Sequence, residues 1–193
     1  MKHVPNTLTT LRMLVTPAVL FLLFSDSFAP RAWAAALFIL ASISDWADGH
    51  MARKYGVGSR LGQFLDPVAD KVLVLGTFAA LCVLRDDLVP WWAVLLIAGR
   101  DLFVTLFRIW HNRGGRVIKT KSSAKWKTTF QLTFLIAVLL LWAAILLPGA
   151  VGSYAKQILN SVGITLLLYV TVAVTVATGF AYAMNPEFDT SHD

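Results

Sequence analysis

Residues 31–53 read RAWAAALFILASISDWADGHMAR, and this apolar segment acquires charged residues near its end. Between Arg31 and Asp45 it holds no charged residue. As a helix rising about 1.5 Å per residue, the segment is long enough to cross the roughly 30 Å hydrocarbon core of a bilayer. Asp45 and Asp48 then lie within the same apolar block. The pattern predicts a membrane-spanning helix with carboxylates near one end.

Similar apolar blocks fill most of the remaining chain. Hydrophobic residues make up 57% of the sequence and charged residues 15%, whereas a soluble domain carries about 25% charged residues. The blocks are Leu8–Phe24, Arg31–Arg53, Leu61–Leu84, Pro90–Trp110, Trp126–Leu147 and Ser161–Met184. We therefore expect one domain over residues 1–193. The pattern predicts an all-α integral membrane protein with six transmembrane helices, preceded by a short interfacial helix over Met1–Asn6.

The net charge is +6, and the positions of the basic residues agree with a membrane topology. Basic residues concentrate after the second and fourth spans, and such loops face the cytoplasm in membrane proteins. The residues are Arg53, Lys54, Arg60, Arg113, Arg116, Lys119, Lys121, Lys125 and Lys127. The charge thus predicts a multi-pass protein of the cell inner membrane with both termini in the cytoplasm. It does not indicate nucleic-acid binding.

Two pairs of aspartates share the cytoplasmic ends of the second and third spans. Asp45 and Asp48 are three residues apart, and Asp66 and Asp70 are four apart, so each pair projects from one helical face. The short loop makes the two helices antiparallel neighbours and brings the pairs to one depth. An ionised residue within a span costs roughly 2.5–3.5 kcal/mol and usually has a function. Carboxylates so close need cations, and Mg²⁺ or Mn²⁺ prefers such oxygen ligands.

Two other interpretations of these acids remain. They could neutralise the basic residues at the helix ends, namely Arg53, Lys54, Arg60 and Lys71, although fewer acids would serve that purpose. They could also form the path of a divalent-cation carrier, because intramembrane carboxylates mark ion pathways. Against a carrier, all the acids lie at one end of the helices. In addition, Gly49 leaves space beside Asp48, and the guanidinium fork of Arg53 suits a phosphate.

The whole motif is Asp45-x-x-Asp48-Gly49-x-x-Ala52-Arg53, followed by Gly62-x-x-x-Asp66-x-x-x-Asp70. It resembles the signature of the CDP-alcohol phosphotransferase family at each defined position. The resemblance implies a six-helix membrane protein, usually a homodimer, with an active site open to the cytoplasmic leaflet. It also implies transfer of a substituted phosphate from a CDP-linked lipid to an alcohol, with release of CMP.

The resemblance assigns roles to individual residues. Asp45, Asp48 and Asp66 are implied to be ligands of two Mg²⁺ or Mn²⁺ ions, and Asp70 to be the general base, with contact to a metal. The positions implied to contact CDP are Gly49, Arg53, Ser59, Asn6 and Thr9. For the N-terminal pair, a helix cap at the membrane interface is an equal alternative.

The basic region over residues 99–131 bears on the acceptor alcohol. It contains Arg100, Arg108, Lys125 and Lys127, and it resembles the family members that make phosphatidylglycerol phosphate from CDP-diacylglycerol and glycerol-3-phosphate. An acceptor with its own phosphate needs several cations. However, Ala124 replaces the usual glycine, so inositol phosphate or another small alcohol stays open as the acceptor. The loop could also follow the positive-inside rule alone, or attract anionic lipid.

Overall fold

A computed structural model describes the backbone of residues 4–55, 60–113 and 123–184, and the side chains of residues 13–44, 71–107 and 126–184. The elements in these ranges are all α-helices. They are α1 (Val4–Leu23), α2 (Phe28–Tyr55), α3 (Arg60–Leu84), α4 (Trp91–Arg113), α5 (Ser123–Ala144), α6 (Ala150–Leu159) and α7 (Val162–Met184). The described residues contain no strand, and the predicted all-α class is confirmed.

The long helices correspond to the predicted apolar segments, with one correction at the N-terminus. Residues Val4–Asn6 were expected in a separate interfacial helix, but they continue directly into α1. Pro5 lies in the first turn of that helix, where its missing N–H donor is not needed, so it does not interrupt the helix. Residues 1–3 lie outside the described residues.

Helix α6 is an element that the span pattern did not predict. The chain turns at Gly149, whose φ of 75° favours glycine. Gly152, Ala155 and Leu159 then form the buried face of α6 at helical spacing. A Cβ atom at Gly152 would lie 2.1 Å from the carbonyl oxygen of Leu147. The absence of a side chain at Gly152 therefore allows α6 to pack closely on the turn that follows α5.

The core of the bundle lies where α2, α3 and α5 meet. Phe38, Phe78 and Phe134 come from these helices and are fully buried. The rings of Phe78 and Phe134 stack with centroids 5.8 Å apart. Around this core, α1 packs on α2 and α3, while α7 packs on α4 and α5.

The outward faces of the long helices are also apolar. Exposed large side chains include Leu14 on α1, Trp33 and Leu40 on α2, Val83 on α3, Leu95 and Phe103 on α4, Leu140 on α5 and Phe180 on α7. A soluble monomer rarely exposes apolar surface so continuously. Within the described side chains, Trp126–Ala144 and Val162–Met184 are long and apolar enough to cross a membrane. The other four predicted spans stay predictions.

Polar contacts stabilise the turns at one end of the bundle. Arg31 in α2 donates to Asp26 at 2.9 Å and lies over the ring of Trp142, which belongs to α5. Arg85, after α3, donates to Asp87 at 2.8 Å and to Asn160 at 3.0 Å. The hydrogen bond from Arg85 lowers the pKa of Asp87, although partial burial opposes this effect.

We expect Gly152→Ala to destabilise the protein by about 1–3 kcal/mol, because the new methyl group overlaps the carbonyl oxygen of Leu147. The melting temperature of the purified protein should fall by several degrees. Gly163→Ala is the matched control, since its Cβ would lie 3.4 Å from the hydroxyl oxygen of Ser161, an ordinary contact. Equal melting temperatures for the two variants would contradict the close packing of α6.

Candidate functional site

The motif aspartates lie on the two predicted helices. Asp45 and Asp48 belong to α2, and Asp66 and Asp70 belong to α3, so the helical backbone on which the spacing argument depends is present. Their side chains lie outside the described residues, and the metal site stays a prediction. Among the described side chains, no three His, Cys, Asp or Glu residues come together as a metal site.

All five residues implied to contact CDP lie outside the part of the chain whose side chains are described. Gly49 and Arg53 are on α2, and Asn6 and Thr9 are on α1, but the structure describes only their backbone. Ser59 lies between α2 and α3, outside the described residues. The predicted roles of these residues in CDP binding therefore stay predictions.

A buried carboxylate organises the described part of the predicted acceptor region. Asp101 on α4 is 4% exposed. Its Oδ1 atom accepts from Arg100 Nη1 at 3.1 Å and from Lys127 Nζ, on α5, at 2.5 Å. Two of the predicted acceptor-binding residues are thus brought together around one anion. The side chains of the other two, Arg108 and Lys125, lie outside the described residues.

Lys71 joins this group from α3. Its Nζ atom donates to the carbonyl oxygen of Asp101 at 3.3 Å and to the hydroxyl oxygen of Thr105. Lys71 directly follows Asp70, the predicted general base. The basic side chains of α4 and α5 therefore lie next to the backbone that carries the motif. Sequence reasoning treated Lys71 only as a charge partner, because spacing alone did not place α3 beside Asp101. We call Lys71, Arg100, Asp101 and Lys127 the Asp101 cluster.

Among the side chains that the structure describes, those of the Asp101 cluster carry more positive than negative charge. Its members comprise three cations and one carboxylate, and the side chains of Arg100 and Lys127 are only 10% and 12% exposed. Buried charges require close partners. Crowded cations at such a place favour the binding of a further anion, and phosphate suits a guanidinium beside ammonium groups.

Helix α7 supplies polar partners that sequence reasoning missed. Arg100 Nη2 donates to Thr178 Oγ1 at 3.3 Å, and Gln131 of α5 donates to Thr175 Oγ1 at 3.1 Å. Both threonines lie in the most apolar span, and their hydroxyls face the bundle interior. The signal was present in the sequence, because Thr171, Thr175 and Thr178 recur at helical spacing.

Comparison with known proteins decides the family. Residues 2–178 match the sequence profile of the CDP-alcohol phosphatidyltransferase family. The chain belongs to the CDP-alcohol phosphatidyltransferase family. This confirms the family that the aspartate motif predicted. The enzymes of this family are membrane-associated and generally depend on a divalent metal.

Three of its similar relatives carry the same enzyme name. The chain is 34% identical over 182 residues to a CDP-diacylglycerol–glycerol-3-phosphate 3-phosphatidyltransferase of Rickettsia typhi, covering 94% of this chain and 96% of the relative. It is 31% identical over 194 residues to the protein of the same name from Bacillus subtilis, with 94% of each chain covered. For an Arabidopsis thaliana phosphatidyltransferase of that name, numbered 2, identity is 32% over 186 residues, covering 89% of this chain and 74% of the relative.

We expect Asp101→Asn to destabilise this phosphatidyltransferase by about 3–5 kcal/mol, because Arg100 and Lys127 would remain buried without their anion. The loss is measured as a fall in the melting temperature of the purified protein. Asp87→Asn is the control. It breaks an ion pair whose carboxylate is 57% exposed, and such surface pairs contribute only about 0–1 kcal/mol. If both variants lost equally little stability, Asp101 would not hold the cluster together.

Proposed function

We propose that the protein transfers the phosphatidyl group of CDP-diacylglycerol to glycerol-3-phosphate, giving phosphatidylglycerol phosphate and CMP. Family membership supports the class of reaction. The names of the relatives support the donor and the acceptor, because proteins from two bacteria and a plant that match most of this chain carry the same name.

The Asp101 cluster is the single observation that carries the acceptor assignment. Arg100 and Lys127 converge on one buried carboxylate, directly beside the helix that continues from Asp70 through Lys71. Glycerol-3-phosphate brings its own phosphate into the site, in addition to the two of the CDP group. Simple alcohols lack that charge and would gain little from buried cations. A phosphorylated acceptor therefore fits the cluster best, and we assign Arg108 and Lys125 to the same pocket from their place in the basic region.

The motif residues take unequal roles in the proposed reaction. Asp45, Asp48 and Asp66 would hold two Mg²⁺ or Mn²⁺ ions, and Asp70 would also contribute to metal binding. When bound, such ions neutralise the diphosphate of the substrate and the charge that develops on the leaving CMP. We assign Gly49, Arg53, Ser59, Asn6 and Thr9 to the binding of the CDP group.

Asp70 acts on the acceptor. It takes the proton of the glycerol-3-phosphate hydroxyl, whose oxygen attacks the phosphorus next to the diacylglycerol. A new bond forms between that oxygen and phosphorus, and the bond from phosphorus to CMP breaks. Because positioning and electrostatics supply most of the catalysis in phosphoryl transfer, the cations that orient the acceptor phosphate contribute directly to the rate.

In the proposed topology, the protein spans the inner membrane six times, through α1–α5 and α7. The apolar outward faces of these helices support this arrangement, since each carries exposed large side chains suited to lipid. The basic residues in the loops after α2 and α4 support an active site and both termini on the cytoplasmic side. The homodimer is proposed from the family resemblance alone.

A CMP-release assay tests the function. The purified protein is incubated with CDP-diacylglycerol in detergent–lipid micelles, with Mg²⁺ or Mn²⁺, and with glycerol-3-phosphate, inositol phosphate, serine or no acceptor. We expect CMP only with glycerol-3-phosphate, and none after chelation of the metal.

Two other outcomes of this assay would change the proposed function. Release with inositol phosphate alone would keep the reaction and replace the acceptor. No release with any acceptor, together with Mn²⁺ uptake by liposomes that contain the protein, would contradict the enzyme and support a divalent-cation carrier.

We expect Asp70→Asn to lower turnover by at least about 100-fold, because an amide cannot take the proton of the hydroxyl. Mn²⁺ binding, followed by electron paramagnetic resonance, should partly survive in this variant. Asp87→Asn, in the turn between α3 and α4, is the control and should keep wild-type turnover. Wild-type turnover in Asp70→Asn would exclude Asp70 as the general base.

A further inference from the structure

Arg100 crosses the surface of α7 in an unusually close contact. A Cβ atom at Gly179 would lie 2.5 Å from Arg100 Cγ and 3.1 Å from its Nε atom. No real Cβ could occupy that position unless the arginine moved. The aliphatic part of Arg100 therefore lies flat against α7 where α7 has no side chain.

The same stretch of α7 also holds the guanidinium group. Thr178, next to Gly179, accepts a hydrogen bond from Arg100 Nη2 at 3.3 Å, while its own hydroxyl can donate to the carbonyl oxygen of Val174 at 2.8 Å. On the other side, Arg100 Nη1 pairs with Asp101 at 3.1 Å. One arm of the guanidinium is thus fixed by α4 and the other by α7.

Two polar atoms between α4 and α7 have no hydrogen-bond partner among the described residues. They are the buried side-chain atoms Arg100 Nε and Tyr182 Oη. Tyr182 lies on α7, one turn beyond Thr178, and its ring packs edge-on against Phe107 of α4. Both atoms therefore belong to the α4–α7 interface. A buried donor without a partner is costly, unless a ligand completes it.

We propose that Thr178 and Gly179 of α7 form a cradle that positions Arg100, so that its guanidinium edge binds the phosphate of the acceptor. The inference rests on the proposed function. It makes the two α7 residues determinants of acceptor affinity, although neither is basic. They act through Arg100 and are positioning residues.

The cradle also accounts for the residue types at these positions. Any side chain at 179 displaces Arg100 from α7. Without a hydroxyl at 178, one arm of the guanidinium has no fixed partner. In either case the arginine loses its preset orientation, and part of the binding free energy of the acceptor is spent on restoring it.

Steady-state kinetics of the full-length protein in CDP-diacylglycerol micelles test the cradle. Gly179→Ala and Thr178→Val should each raise the KM for glycerol-3-phosphate by about tenfold, as expected for a misplaced hydrogen bond to a charged group. The KM for CDP-diacylglycerol should stay within about twofold of the wild-type value. Thr178→Ser keeps the hydroxyl and should restore the wild-type KM for the acceptor.

Two controls come from the same helix. Gly163→Ala adds a methyl group far along α7, where the Cβ contact is ordinary. Thr171→Val removes a buried hydroxyl that bonds to the carbonyl oxygens of Phe130 and Leu167, not to Arg100. Both controls should keep the KM for glycerol-3-phosphate. Melting temperatures of all the variants separate loss of folding from loss of affinity.

The possible results separate the cradle from the proposed function. If the wild type releases CMP with glycerol-3-phosphate but Thr178→Val keeps its KM, the cradle is wrong and the function stands. Equal increases in both KM values, or a fall in kcat alone, also contradict the cradle. Should Gly179→Ala fail to fold, the comparison of Thr178→Val with Thr178→Ser decides. A wild type inactive with every acceptor overturns the proposed function, and the cradle with it.

Discussion

One buried carboxylate sets the arrangement of the described half of the site. Asp101 is almost completely buried, and an ionised carboxylate in that position requires cations. Arg100 comes from the same helix and Lys127 from α5, while Lys71 of α3 bonds to the Asp101 carbonyl. These polar contacts connect three helices in a bundle whose core is otherwise mainly apolar. Through Arg100, the same group extends to α7.

The two ends of the bundle use charge in different ways. At the end that holds Arg31 and Arg85, each arginine is bonded to a nearby aspartate, and Arg85 also connects its turn to Asn160 before α7. Around Asp101, cations outnumber the one carboxylate of the cluster. The first arrangement satisfies charge within the protein and serves structure. The second is suited to an anionic ligand, in agreement with a family that handles phosphate groups.

The sequence predicted the helices well where apolar blocks are long. Their predicted bounds lie within several residues of α1–α5 and α7, and the motif from Asp45 to Asp70 predicted the family that comparison confirms. Helix α6 was missed because a ten-residue helix is too short to cross a bilayer, and its amphipathic spacing was not considered. The basic region predicted Arg100 and Lys127 as partners of one ligand. It could not predict the contacts of Lys71, Thr178 and Gly179, because these depend on which helices become neighbours. Sequence spacing does not specify those neighbours.

The most direct test of the account is an experimental structure of the protein in lipid nanodiscs with glycerol-3-phosphate bound. The account predicts that the acceptor phosphate lies within about 3 Å of nitrogen atoms of Arg100 and Lys127, with the guanidinium still resting on Gly179. A phosphate bound elsewhere, with Arg100 and Lys127 in contact only with Asp101, would contradict it.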